Sequence, residues 1–160
     1  MKPKLIIITG TPGTGKSTLA RDLAKELHGT RLNLHRYYKQ LSTTYNKQKQ
    51  CYDIDLRKFK AFVEKQQKKY PPLIIDSHIS HLLPRRMVNL CIVLTCSNLK
   101  VLKKRLELRK YPAKKVRENL DAEIFQVCLM EAKEKGHKIL HQDTSATTKK
   151  KLLLEILKKI

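Results

Sequence analysis

The chain has 160 residues, 41% of them hydrophobic, enough for one domain with a packed core and too few for two ordinary ones. No apolar run approaches the ~20 residues needed to cross a bilayer, Met1-Lys2-Pro3-Lys4 opens no leader pattern, and Cys51, Cys91, Cys96 and Cys128 form no C-x-x-C pair, so a cytoplasmic, reduced, monomeric protein without a membrane partner is expected. The 35 Lys and Arg residues outweigh 14 Asp and Glu for a net +21, a balance that calls for anionic partners: nucleotides, RNA or an acidic protein face.

The first element, Lys4-Leu-Ile-Ile-Ile-Thr9, is a continuous β-branched run, the pattern of a strand buried on both faces of a parallel sheet. Gly10-Thr-Pro-Gly-Thr-Gly-Lys16-Ser17 follows and fits G-x-x-x-x-G-K-[ST], directly after the strand and before a helical pattern, as a phosphate cradle requires. Gly10, Gly13 and Gly15 let backbone N–H groups converge with that of Thr14 on phosphate oxygens, and the following helix aims its positive end at them. Lys16 neutralises phosphate charge, Ser17 offers a hydroxyl to Mg²⁺, and Thr18 is placed for the α-phosphate.

Shorter apolar runs recur at Arg31-Leu-Asn-Leu34, Leu73-Ile-Ile-Asp76, Val88 to Thr95 and Lys138-Ile-Leu-His141. Helical patterns lie between them over roughly 16–28, 55–69, 98–110, 112–135 and 147–160. The alternation predicts an α/β fold, with about five parallel strands flanked by helices on both faces. Residues 35–55 are polar and weakly periodic, and read as a mobile insertion rather than core.

Asp76 ends its strand at the carboxyl edge beside the cradle, where it can hold metal-bound water. His78 lies two residues on, on the same side of an extended chain. His81 adds a His-x-x-His pair, but no further ligand at zinc spacing completes it. Arg105 and Arg109 stand four apart on one predicted helix face and can close on a polyphosphate together, and Arg109-Lys-Tyr-Pro112 breaks that helix into a basic flap suited to phosphoryl transfer.

Gly10-Thr-Pro-Gly-Thr-Gly-Lys-Ser-Thr18, Asp76-Ser-His78, Arg105-Leu-Glu-Leu-Arg109-Lys-Tyr111 and Asn119-Leu-Asp-Ala-Glu-Ile-Phe-Gln-Val127 together resemble the archaeal and nuclear adenylate-kinase-like ATPases. That family includes the coilin-interacting nuclear ATPase and factors of late small-subunit ribosome maturation. The resemblance implies a single adenylate-kinase-like P-loop domain over 1–160, with a monophosphate-binding region near 33–55 and a lid near 108–118. It implies Mg·ATP-dependent phosphoryl transfer to AMP or other nucleoside monophosphates, together with ATP hydrolysis. It assigns catalysis to Asp76 and His78, ATP contacts to Arg109, His141 and Gln142, and the acceptor to Asn33, Arg36, Lys39 and Asp53. A small-subunit ribosomal protein and ribosomal RNA are the implied macromolecular partners.

Three departures stand out: Lys110 where the family has glycine, Lys39 where an arginine would fork onto the acceptor phosphate, and a basic rather than acidic stretch from Tyr45 to Asp53. The weakened acceptor segment and the charge favour an alternative, an assembly factor driven by ATP hydrolysis in which monophosphate phosphorylation is incidental.

Overall fold

The computed structural model describes residues 4–48 and 51–160. Met1–Pro3, which bear on the leader expectation, and Lys49–Gln50 of the basic acceptor stretch lie outside it. The elements in chain order are β1 Leu5–Thr9, α1 Lys16–Glu26, β2 Thr30–Asn33, α2 Tyr38–Leu41, β3 Ser42–Asn46, β4 Cys51–Ile54, α3 Leu56–Lys69, β5 Leu73–Asp76, β6 Leu90–Thr95, α4 Leu99–Leu108, α5 Ala113–Ile124, α6 Val127–Glu134, β7 Ile139–Asp143 and α7 Lys149–Leu157. Short 3₁₀ turns lie at Leu34–Tyr37, Ser80–Leu82 and Arg85–Met87. Among the described residues no helix is long and apolar enough to cross a membrane.

Five parallel strands form the sheet in the order β2-β5-β1-β6-β7, in agreement with the expected α/β architecture. The alternation of side chains sorts β1 into two cores. Leu5 and Ile7, with Leu73, Ile75, Cys91 and Val93, pack against Phe59 and Val63 of α3 and against Leu129 and Ala132 of α6. Ile6 and Ile8, with Ile74, Ile92 and Leu94, pack against Leu19, Ala20 and Leu23 of α1 and against Leu152 and Ile156 of α7. A third cluster of Cys96, Leu102, Leu106 and Val116 ties α4 to α5.

Two expectations are corrected. Residues 35–55 are not an insertion set apart from the core: Leu34, Tyr38 and Leu41 are buried in the first cluster, and β3 and β4 form an antiparallel hairpin. Tyr37, Tyr52 and Ile54 pack half-buried against the same cluster, and these scattered anchors in a polar segment keep no helical or strand period. The helix predicted over 112–135 is two helices, broken where Gln126 adopts left-handed backbone at φ 51°. Neither Gly nor Pro marks that break. Tertiary packing imposes it, because α5 rests on α4 through Val116 whereas α6 turns inward to bury Leu129 and Ala132 against the sheet.

The register aligns the two halves of the site. Ile8 pairs with Asp76, so the loop leaving β1 and the carboxylate ending β5 emerge side by side at the carboxyl edge, where open α/β sheets bind their ligands.

Candidate active site

The cradle is built from glycines the backbone requires. Gly10 has φ 146°, and a Cβ there would lie 2.3 Å from the Leu94 carbonyl oxygen. Gly15 caps α1 in left-handed conformation at φ 92° and brings no side chain to the helix end. The first N–H groups of α1 are therefore left for an anion rather than consumed by a capping residue. Thr14 is turned inward, its hydroxyl donating to the Thr11 carbonyl at 2.8 Å.

Lys16 folds back over the loop, with Nζ donating to the carbonyls of Gly10 at 2.7 Å and Thr11 at 3.0 Å. Desolvation, with the nearby Arg109 charge also acting downward, lowers its pKa to about 8. The ammonium is thus held without a full counter-charge, which a phosphate would supply.

Arg105 and Arg109 of the α4 end, with Gly13, Thr14, Gly15 and Thr18, line a cavity of about 440 Å³. Its far wall is Thr144, Thr147, Lys149 and Leu152, from the β7 exit and the start of α7. Arg105 is anchored, donating from Nη1 to the Gly13 carbonyl at 3.2 Å, whereas Arg109 is exposed. The i, i+4 spacing thus brings both guanidinium groups to one cavity.

His141 and Gln142 lie on β7 and are not among that cavity's lining residues. The His141 ring is bonded to the Thr95 hydroxyl at 2.8 Å. The loop residues Thr144 and Thr147, just beyond, line the cavity. Position was the available signal, since the loop after a strand's carboxyl end faces the ligand crevice. The Thr147 hydroxyl is buried without a protein hydrogen-bond partner.

On the other side of the cradle, the Ser17 hydroxyl donates to Asp76 Oδ2 at 2.8 Å. A hydroxyl and a carboxylate in contact are hard oxygen donors of the kind Mg²⁺ takes alongside phosphate and water. No three His, Cys, Asp or Glu side chains gather as a metal cage among the described residues. The donor set fits an ion carried in with a polyphosphate, which keeps most of its waters.

Sequence reasoning missed Arg31. Its Nε donates to Asp76 Oδ1 at 2.7 Å and its Nη2 to Oδ2 at 2.8 Å. The strand reads Thr-Arg-Leu-Asn, and nothing local in it marks the arginine; only the β2–β5 pairing brings it to Asp76.

His78 is bonded at the outer limit of 3.5 Å to the hydroxyl of Tyr38, which also meets the Ser77 hydroxyl at 2.7 Å. Desolvation by the surrounding protein, then the positive charge of Lys16, hold His78 below the ordinary imidazole pKa although the residue keeps solvent contact. It is a neutral ring near neutral pH. Burial pushes Tyr38 up to about 12, so its hydroxyl stays protonated.

His81 plays a different part from a zinc ligand. Its Nδ1 meets the Thr9 hydroxyl at 2.7 Å and its Nε2 the Glu131 carboxylate at 2.6 Å, stitching α6 to the end of β1. Glu123, within the Asn119–Val127 block, is buried and accepts from the Cys96 N–H at 2.7 Å, so that part of the block secures the α5 end to β6.

Of the acceptor candidates, Asn33 pairs in register with Asp76 and its side chain accepts from the His35 N–H at 3.2 Å. Arg36 and Lys39 are exposed, in the 3₁₀ turn and α2. Asp53 is engaged in the hairpin, its carboxylate accepting from the Thr44 hydroxyl at 3.3 Å.

Known proteins place the chain in a family. Residues 6–126 match the family described as AAA domain. The Methanocaldococcus jannaschii protein named "Putative adenylate kinase" is 38% identical over 157 residues, spanning 97% of this chain and 85% of its own. The Schizosaccharomyces pombe "Adenylate kinase isoenzyme 6 homolog" is 37% identical over 131 residues, 81% of this chain and 74% of its own. Among solved structures, the Bacillus subtilis YorR protein in complex with phosphorylated GDP superposes with TM-score 0.66 at 20% identity, covering 97% and 94% of the two chains. A deoxyadenosine kinase from M. mycoides does so with TM-score 0.59 at 16% identity, covering 97% of each. These two structural likenesses carry the fold alone. With a P-loop at the edge of a β2-β5-β1-β6-β7 sheet and relatives of this identity along nearly its whole length, the chain belongs to the adenylate-kinase-like phosphotransferases of the AAA-domain P-loop family.

Proposed function

We propose that the chain transfers the γ-phosphoryl group of ATP to a nucleoside monophosphate, with AMP the first candidate, in a Mg²⁺-dependent reaction. The observation that carries this reading is the convergence of Arg105 and Arg109 on one cavity beside Gly13–Gly15, with the Ser17–Asp76 pair across the cradle. Phosphoryl transfer needs positioning and charge neutralisation more than covalent chemistry. Lys16 leaves the Gly10 and Thr11 carbonyls to meet the β- and γ-phosphates, and Arg105 and Arg109 spread positive charge over the transferring group. Ser17 and Asp76 would hold a Mg²⁺ ion, which would supply neutralisation of phosphate charge. His78, neutral and aligned by Tyr38, is positioned to take a proton or orient the attacking oxygen.

In this reading the whole chain is one domain, residues 33–55 receive the acceptor through Asn33, Arg36, Lys39 and Asp53, and 108–118 form the lid. His141 and Gln142, on the last strand, stay the nucleotide contacts the resemblance implies, with Thr144 and Thr147 of the following loop added to the cavity wall. The test is transfer of labelled γ-phosphate from ATP to a panel of nucleoside monophosphates: label in a diphosphate product supports the reading, and label released only as inorganic phosphate overturns it.

A second reading is favoured by the net +21 charge: ATP hydrolysis drives a cytoplasmic factor of small ribosomal subunit maturation that contacts ribosomal RNA and protein. Retention on small-subunit RNA that weakens steeply with salt is its expected mark, because each phosphate contact releases counterions.

A further inference from the structure

Arg31 is left without a task by the reading just given. It stands on β2, the edge strand of the sheet, and reaches along it to the carboxylate at the end of β5. The contact is a two-point fork, Nε on one oxygen and Nη2 on the other, at 2.7 and 2.8 Å. Such a pair is planar and specific in a way that a lysine cannot reproduce.

A carboxylate offers about four lone-pair sites. Arg31 takes two and the Ser17 hydroxyl a third. About one remains for water bound to a metal. The Asp76 side chain is 3% exposed, so with Arg31 absent and no metal present it would stand as a buried charge with the Ser17 hydroxyl but no cation in contact, a costly state. The arginine is less confined: its side chain is 18% exposed, and its edge strand has only one neighbour, so the guanidinium has a direction in which to swing out.

We infer that Arg31 is a positioning residue, the internal counter-ion of Asp76 that competes with metal-bound water for that carboxylate and so sets how much free Mg²⁺ the protein needs to hold a nucleotide tightly. In the metal-free protein Arg31 forks onto both oxygens of Asp76, whose Oδ2 also accepts from Ser17. On loading, the cation shares or yields the carboxylate, and its displacement opposes metal binding. This rests on the proposal that Mg·nucleotide occupies the Ser17–Asp76 side of the cradle, and it assigns the electrostatic setting of that side to a residue of the neighbouring strand.

The test is binding of a fluorescent ADP to the full chain at fixed nucleotide and increasing Mg²⁺, for wild type, Arg31→Met and Arg31→Lys, with thermal unfolding recorded for each. Arg31→Met is expected to lower the half-saturating Mg²⁺ by roughly tenfold, as loss of a cation a few ångströms from the site implies. Affinity at saturating Mg²⁺ should be retained. Arg31→Lys, which keeps charge but not the fork, should shift the midpoint in the same direction by less, and gives the answer by itself if Arg31→Met does not fold. A lower Tm with an unchanged or raised Mg²⁺ midpoint overturns the inference alone, because Arg31 would then brace the strand or help recruit the metal. Failure of the wild type to bind ADP at any Mg²⁺ overturns the inference and the proposed function together.

Discussion

Lys16 Nζ lies 2.7 Å from the carbonyl oxygen of Gly10, parked on the loop whose N–H groups would face a phosphate. Burial lowers its pKa from 10.5 to about 8, and an arriving phosphate raises it again by restoring a counter-charge. Nucleotide binding at about pH 8 to 9 is therefore expected to take up a proton. Calorimetry in buffers of different ionisation enthalpy reads this directly: the apparent heat should vary with the buffer, and a buffer-independent heat would show that Lys16 is already fully protonated in the free protein. In Lys16→Met the buffer dependence should vanish along with most of the affinity.

Lys110 closes α4, its N–H donating to the Glu107 carbonyl at 2.8 Å, with left-handed backbone at φ 57°. That is the position beyond a helix where glycine is strongly preferred. Placing an L-residue with a Cβ there costs about 1 kcal/mol. Lys110→Gly should stabilise the fold by roughly that amount, read as a higher denaturant midpoint with unchanged slope. A lower midpoint would mean that the Lys110 side chain contributes more than its backbone costs.

The acid limb of stability has a nameable source. His78 and His81 both have pKa values lowered chiefly by desolvation, the Glu131 carboxylate working against that trend at His81. The unfolded chain takes up protons near the ordinary value of about 6.5 while the folded chain does not. Stability is thus fully present above that pH and lost as pH falls through it towards the depressed folded values. His78→Gln, at the more accessible of the two sites, should flatten the slope of unfolding free energy against pH between about 6.5 and 5. An undiminished slope would place the linkage elsewhere.

His78 also bears on turnover. If its neutral ring takes a proton or orients the acceptor, His78→Gly lowers kcat by about a hundredfold while KM for ATP changes little, the range associated with a positioned general base. Equal rates of transfer in His78→Gly and wild type would remove it from the reaction.

These expectations were reached unevenly from the sequence. The cradle was legible because its glycines, Lys16 and Ser17 are consecutive, and the strand and helix around them carry strong periodic signals. The α/β sheet was legible for the same reason, since Leu5 to Ile8 and Leu73 to Ile75 can only be buried on both faces. Asp76 was found from its place at a strand end. The partner that holds it was not, because Arg31 and Asp76 are 45 residues apart and only the β2–β5 pairing brings them together. Tyr38 was hidden in a polar segment for a like reason, its hydroxyl and ring serving Ser77 and His78 across a long sequence separation. The break at Gln126 follows from packing against two different partners, which no local residue announces.

The most direct measurement is nucleotide turnover with ATP and AMP together against ATP alone, with the products quantified. The account predicts that AMP accelerates the reaction and that two ADP appear for each ATP and AMP consumed. ADP formation at the same rate with and without AMP, with AMP unconsumed and inorganic phosphate released, would contradict it.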